Sequence, residues 1–138
     1  MALQFNTYAK VNSMLAAMNL YGTGANMSLK IYPSTVALPS LPPSYNTAPA
    51  GFLINFTTFT TAKVSNQMKL TVVPALTAAV ATGVPYWFFF VNGNTSTAGV
   101  MIGDSIGLSG SSPVVTLNSM SLVSGTSYSL IDMTLTMV

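Results

Sequence analysis

The stretch "PYWFFFVNGN", residues 85–94, places five large apolar side chains in succession and then ends in an Asn-Gly-Asn turn. Aromatic residues favour β-strands, and the proline and the turn punctuate the stretch at its two ends. Because successive side chains of a strand point to opposite faces, both faces of this strand are apolar. We therefore predict a central strand with protein on both sides. Its predicted core residues are Tyr86, Trp87, Phe88, Phe89 and Phe90.

The N-terminal segment is one candidate cover for this strand. Val11, Met14, Leu15 and Met18 recur at steps of three and four residues, which predicts an amphipathic helix over residues 5–20. The other candidate covers are a second sheet and a neighbouring subunit.

Other apolar runs alternate with a period of two and predict further strands. In "MSLKIYPS", Met27, Leu29 and Ile31 would form a buried face, and Ser28, Lys30 and Tyr32 a wetter one. In "GFLINFTTF", Phe52, Ile54 and Phe56 would share one face. The remaining runs are "QMKLTVV" at 67–73, "AGVMIG" at 98–103, "VVTLNSMSLV" at 114–123 and "TSYSLIDMTLTMV" at 126–138.

The last run carries a phase shift, because Leu130 and the following Ile131 are both apolar and would face opposite sides. This pattern predicts a β-bulge or a strand that changes partners. Together the runs predict a single, mainly β domain over residues 1–138, an antiparallel β-sandwich or jelly-roll-like fold with a short N-terminal helix.

A proline-rich segment at residues 33–50 interrupts the strands, with five of the eight prolines of the chain. Neither a helical nor a strand period survives there. We expect an ordered surface excursion with extended backbone. It is either an arm that lies on a neighbouring molecule or a plain connecting loop.

Charge is scarce: charged residues make up 4% of the chain, whereas soluble domains carry about 25%. Such a surface suits permanent contact with other subunits, although a monomer coated in hydroxyl and amide groups is the alternative. Four scattered lysines without any arginine give no basic stripe, so the sequence does not predict nucleic-acid binding.

Catalytic chemistry is poorly represented, since the chain has no His, Glu or Cys. The motif "GDSIG" at 103–107 resembles a hydrolase nucleophile block, but Ser105 has no base to take its proton, so we interpret the motif as a turn. Two aspartates are too few for a metal site. We therefore predict no catalytic residue, no metal, no cofactor and no enzymatic activity.

The aromatic region allows two further interpretations, a membrane span and a carbohydrate-binding site. Residues 72–91 carry no charge and are long enough to cross a membrane, but the prolines and hydroxyl groups in them favour strand and loop, so no membrane span is predicted. Trp87 could stack on a sugar ring if it were exposed, which leaves a carbohydrate-binding module as an alternative.

The order of motifs along most of the chain resembles a family of short virion proteins of tailed bacteriophages. The resemblance is carried by "MALQFNTYAKVNSML", "MSLKIYPS", "GFLINF", "TGVPYWFFFVNGN", "GDSIGLSG", "LNSMSLVSGTSYSL" and the terminal "DMTLTMV". Members tend to have an N-terminal helix, a proline-containing segment after the first strand, and an aromatic strand that ends in a small turn. The aromatic run departs from the family pattern, where a charged residue is more usual.

The resemblance implies a structural protein of the virion without catalytic residues. We expect a capsid decoration or cement protein that binds at junctions of major capsid subunits and also contacts copies of itself, as a trimer or another homo-oligomer. A tail or collar protein that forms a ring or spike is the alternative. The predicted contact residues are Val11, Met14, Leu15, Met18, Pro39, Leu41, Pro42, Pro43 and Tyr45.

Overall fold

The structure is a computed structural model, and it describes residues 4–5, 27–39, 44–57, 59–64, 67–72, 76–92, 99–111 and 113–136. Within these ranges the protein is mainly β, without a helix. The strands are β1 (Gln4–Phe5), β2 (Met27–Tyr32), β3 (Ile54–Phe56), β4 (Phe59–Val64), β5 (Gln67–Val72), β6 (Thr77–Ala78), β7 (Trp87–Asn92), β8 (Gly99–Gly103), β9 (Ile106–Gly107), β10 (Val115–Leu117), β11 (Ser127–Tyr128) and β12 (Leu130–Thr136).

The strands form two five-stranded sheets and a small ribbon. The first sheet has the order β1-β8-β7-β2-β3, and all its neighbours are antiparallel. The second sheet has the order β4-β5-β12-β10-β9, in which only β9 and β10 are parallel. The ribbon pairs β6 with β11. The predicted central position of the aromatic strand is confirmed, since β7 lies in the middle of the first sheet.

One hydrophobic cluster contains residues of both sheets. Alternate residues of β2, β7 and β8 contribute to it, and so do residues of β10 and β12. Phe90 of β7 meets Phe59 of β4 edge to face, with ring centroids 6.0 Å apart. We call the side of β7 that carries Phe88 and Phe90 its inner face, and the side that carries Trp87, Phe89 and Val91 its outer face.

The outer face is covered by the proline-rich connection between β2 and β3. A second cluster contains Trp87, Phe89 and Val91 with Val100 and Ile102 of β8, and Val36, Tyr45, Ala48 and Phe52 of the connection pack against it. Because β2 and β3 are neighbours in the first sheet, both ends of the connection are fixed to the sheet that it covers. The connection therefore contacts its own molecule, and Trp87 to Phe90 are at most 1% exposed.

This cover corrects two predicted strand faces. Tyr32 was expected on a wetter face but is fully buried, because it stacks on Trp87 under the connection. Phe52 was expected to share a face with Ile54 and Phe56, yet it packs on the outer cluster while those two lie in the inner one. The reason is that β3 begins only at Ile54, so Phe52 still belongs to the connection.

Tyr86 is the exception in the predicted aromatic core. It precedes β7 and is 59% exposed, although its amide donates a hydrogen bond of 2.8 Å to the carbonyl of Tyr32 at the end of β2. Phe5, the first residue of the helix predicted for residues 5–20, belongs to β1. The rest of that helix lies outside the described residues.

The β-bulge predicted at Leu130 and Ile131 is confirmed. Thr116 of β10 pairs with Asp132, whereas the next residue, Leu117, pairs with Leu130, so Ile131 has no partner across the pair. Leu130 and Met133 are both buried in the inner cluster, and Ile131 is 43% exposed. The extra residue thus turns one side chain outward without losing a core contact on either side of it.

Candidate interaction surface

A run of alternating exposure lies just before the aromatic strand. Val80, Val84 and Tyr86 are 61%, 61% and 59% exposed, and Thr82 between them is also exposed. The intervening residues face the body of the protein: Ala79 and Pro85 are buried, and Ala81 packs on the inner cluster. The larger apolar side chains of this run therefore face solvent, which reverses the usual arrangement.

Close packing leaves little room for a side chain at Gly83. A Cβ atom at Gly83 would lie 2.9 Å from Cδ2 of Leu53. Because Leu53 is buried and this distance is too short for a carbon–carbon contact, the leucine side chain would have to shift. The amides of Val80 and Ala81 both donate hydrogen bonds to the carbonyl of Leu53, at 2.8 and 3.4 Å. The run is thus held against the β2–β3 connection by its backbone.

A second loop, residues 118–126, lies alongside the run. Gly83 and Leu122 exchange two backbone hydrogen bonds of 3.0 and 2.9 Å, as an antiparallel pair. In such a pair the flanking residues point to the opposite side, which brings Thr82 next to Val123. Val123 is 51% exposed, whereas Leu122 is buried.

Side chains also tie the two loops together. The amide of Ser124 donates to Oγ1 of Thr82 at 3.0 Å, and the Ser124 hydroxyl donates to the carbonyl of Val80 at 3.4 Å. The Tyr128 hydroxyl accepts a hydrogen bond of 2.9 Å from the amide of Val123. We call the exposed surface formed by Val80, Thr82, Val84, Tyr86 and Val123 the ridge.

The predicted contact residues lie only partly in the described structure. Tyr45 packs on the outer cluster of its own chain, and Pro39 is partly exposed at the end of a described range. The others, Val11, Met14, Leu15, Met18, Leu41, Pro42 and Pro43, lie outside the described residues.

Trp87 is placed where it cannot stack on a sugar. Its ring lies 4.1 Å from the ring of Tyr32 at an interplanar angle of 8°, and its Nε1 donates to the carbonyl of Val36 at 3.0 Å. With 1% of its surface exposed, the residue has no open aromatic face. Tyr86 is the exposed member of the aromatic stretch, and it lies in the ridge.

Ser105 of the "GDSIG" motif supports a loop. Its hydroxyl accepts a hydrogen bond from the amide of Val114 at 3.0 Å, and its carbonyl accepts one from the amide of Val115 at 2.9 Å. These contacts join the segment after β8 to the start of β10, as expected for a structural turn. Among the described residues, no group of three or more His, Cys, Asp or Glu could hold a metal ion.

Lys30 is a half-buried cation on the outer face of the first sheet. Its Nζ donates to the Ser28 hydroxyl at 3.0 Å, and that hydroxyl donates to Oδ1 of Asn55 at 2.8 Å. The ring of Phe52 lies 5.8 Å from Nζ. Burial lowers the pKa of Lys30 below its ordinary value, because water is partly withdrawn from the charged form.

No family model, curated protein or solved structure matches the chain. In the described ranges, no helix is long and apolar enough to cross a membrane.

Sequence reasoning missed the ridge, although a signal was present. Residues 79–86 read Ala, Val, Ala, Thr, Gly, Val, Pro, Tyr, so small or ring-closed residues alternate with larger ones. This alternation in size matches the alternation in exposure, and the larger side chains face away from a tightly packed body.

Proposed function

We propose that this protein is a non-enzymatic structural component of a tailed-phage virion, a capsid decoration or cement protein that stabilises junctions between major capsid subunits. The motif order that resembles phage virion proteins suggests the class. The observation that carries the proposal is the ridge: in a chain with only six charged residues, two hydrogen-bonded loops hold four large apolar side chains outward.

An outward apolar ridge is what a protein needs to associate permanently with other subunits. Contiguous exposed apolar side chains mark interaction sites more often than isolated ones do. Four of the eight large apolar side chains that are exposed in the described ranges belong to the ridge. Repeated many times over a particle, individually weak contacts of this kind add up to a large stabilisation.

The fold we propose for this role is a β-sandwich, with the two five-stranded sheets as its layers. The shared inner cluster and the edge-to-face contact between Phe59 and Phe90 support this packing. The proline-rich connection would add a third layer over the outer face of the first sheet. Such a rigid body would hold the ridge in a fixed orientation.

Quantitative mass spectrometry of purified particles tests the proposal. A capsid decoration protein is expected at about one copy, or about one-third of a copy, per major capsid subunit, because it follows the capsid symmetry. A few copies per particle would place it in the tail or collar instead. Absence from the particle would refute the structural role.

A further inference from the structure

The polar groups that border the ridge are hydroxyls. Thr82 lies within it, and Ser121 and Ser124 border it on the neighbouring loop, all of them exposed. A hydroxyl both donates and accepts hydrogen bonds, so a surface whose polar groups are hydroxyls can pair with an identical surface. An ammonium or a carboxylate group, in contrast, needs a partner of a different kind.

Charge is absent from both segments that build the ridge. Residues 70–103 and 105–131 contain no Lys, Arg, Asp or Glu. In a two-fold symmetric contact each surface meets its own copy, so any charged residue near the axis would face a like charge. Neither segment therefore brings a like charge to such a contact, and neither offers a charge by which a charged partner would be selected.

We propose that the ridge is a self-association surface, on which a second copy of this chain packs with its own ridge across a two-fold axis. The inference rests on the proposed structural role and names the partner of the ridge. The apolar side chains of Val84, Tyr86 and Val123 would become buried in the contact, and the hydroxyl groups around them would pair at its rim.

The test uses sedimentation equilibrium of the purified full-length chain over a range of concentrations. Val84→Lys places a charge in the ridge, and Leu108→Lys places the same charge on an exposed apolar residue in the turn after β9, outside the ridge. We expect the unaltered protein and Leu108→Lys to self-associate alike, and Val84→Lys to do so at least about tenfold more weakly.

A charge-swap pair sharpens the result. Val84→Lys and Val84→Asp should each be poor at self-association, and an equimolar mixture of the two should recover it, because opposite charges then face each other across the contact. Val84 and Leu108 are both exposed, so all three variants are expected to fold. Far-ultraviolet circular dichroism and thermal unfolding would check this.

Each outcome decides the inference. An unaltered protein that stays monomeric at about 100 µM, a concentration at which even weak dimers form, would overturn it. Val84→Lys that associates as well as Leu108→Lys would also overturn it. If the unaltered protein is monomeric but Val84→Lys still fails to bind particles that lack the protein, the ridge meets another virion protein. The structural role would then survive while the self-association fails.

Discussion

The two faces of β7 are covered in different ways. On the inner face, Phe88 and Phe90 lie in a cluster built by regular strands of two sheets. On the outer face, Trp87 and Phe89 lie under an irregular proline-rich connection. There, side-chain donors are paired with carbonyls of the cover: Trp87 with Val36, and Tyr32 with Pro49 at 2.8 Å. The inner face is thus packed mainly by strand side chains, whereas the cover of the outer face is also held by hydrogen bonds from buried side chains.

The largest expected effect lies on the inner face. Phe90→Ala removes a fully packed ring that meets Phe59, and the surrounding strands are too constrained to fill the cavity. We expect the free energy of unfolding to fall by about 3–5 kcal/mol, measured by urea denaturation. A loss below about 1 kcal/mol would show that the inner face is not tightly packed.

A smaller effect is expected from the polar anchor of the outer face. Trp87→Phe keeps an apolar ring stacked on Tyr32. It removes the Trp87 Nε1 group that donates to the carbonyl of Val36, so this carbonyl loses its hydrogen-bond partner. The free energy of unfolding should fall by about 1–3 kcal/mol. Phe89→Leu is the control, because it changes the same face of β7 without removing a hydrogen bond. It should leave the protection of the proline-rich connection from proteolysis unchanged.

Tyr32→Phe removes the second polar anchor, the hydrogen bond from Tyr32 to the carbonyl of Pro49, and its effect on stability should depend on pH. Burial raises the pKa of Tyr32 above its ordinary value of 10.0, since the charged phenolate would lose hydration. The hydroxyl group therefore stabilises the fold below pH 10.0, and this contribution is lost as the pH rises above that value. At neutral pH we expect Tyr32→Phe to lower the free energy of unfolding by about 1 kcal/mol.

The measurement is urea denaturation of both proteins between neutral pH and the alkaline range. The stability difference between them should shrink as the pH rises above the ordinary tyrosine value. The lowered pKa of Lys30 has the opposite sign, because burial there favours the neutral amine, but it is common to both proteins and cancels in the difference. A difference independent of pH would contradict the assigned burial of the phenol.

The smallest effect is expected at Tyr86, the residue before the buried Trp87. Tyr86→Ser removes an aromatic ring as large as that of Phe88, yet Tyr86 is 59% exposed. We expect the free energy of unfolding to change by no more than about 0.5 kcal/mol. Phe88→Ser is the matched comparison, and it should be severely destabilising. Equal effects at the two positions would contradict the described boundary between the ridge and β7.

Periodicity predicted the strands but not what covers them. Alternation located β2, β5 and β8, and the uninterrupted aromatic run located β7, each within a residue or two. The doubled apolar pair at Leu130 and Ile131 located the bulge. The cover of the outer face could not be read in the same way, because residues 33–50 have no period. Whether such a segment folds back depends on distant donors such as Trp87 and Tyr32, which a local pattern does not contain.

The ridge escaped prediction for a related reason. A period of two says that a segment is extended but not which of its sides faces the protein, and size is the usual guide. In residues 79–86 size points the wrong way, because the larger side chains face outward, and at Gly83 an added Cβ atom would lie only 2.9 Å from Leu53. The contact that decides the orientation lies about thirty positions away in the sequence, and no local pattern contains it.

The position of Trp87 gives the protein a built-in optical probe. It is the only tryptophan of the chain, and its ring lies between the first sheet and the proline-rich connection. Lifting the connection would expose the indole to water while leaving both sheets paired, so its emission would shift to the red before any strand signal in the infrared changed. Local opening of one loop and global unfolding of the domain could therefore be timed separately, on an unlabelled protein.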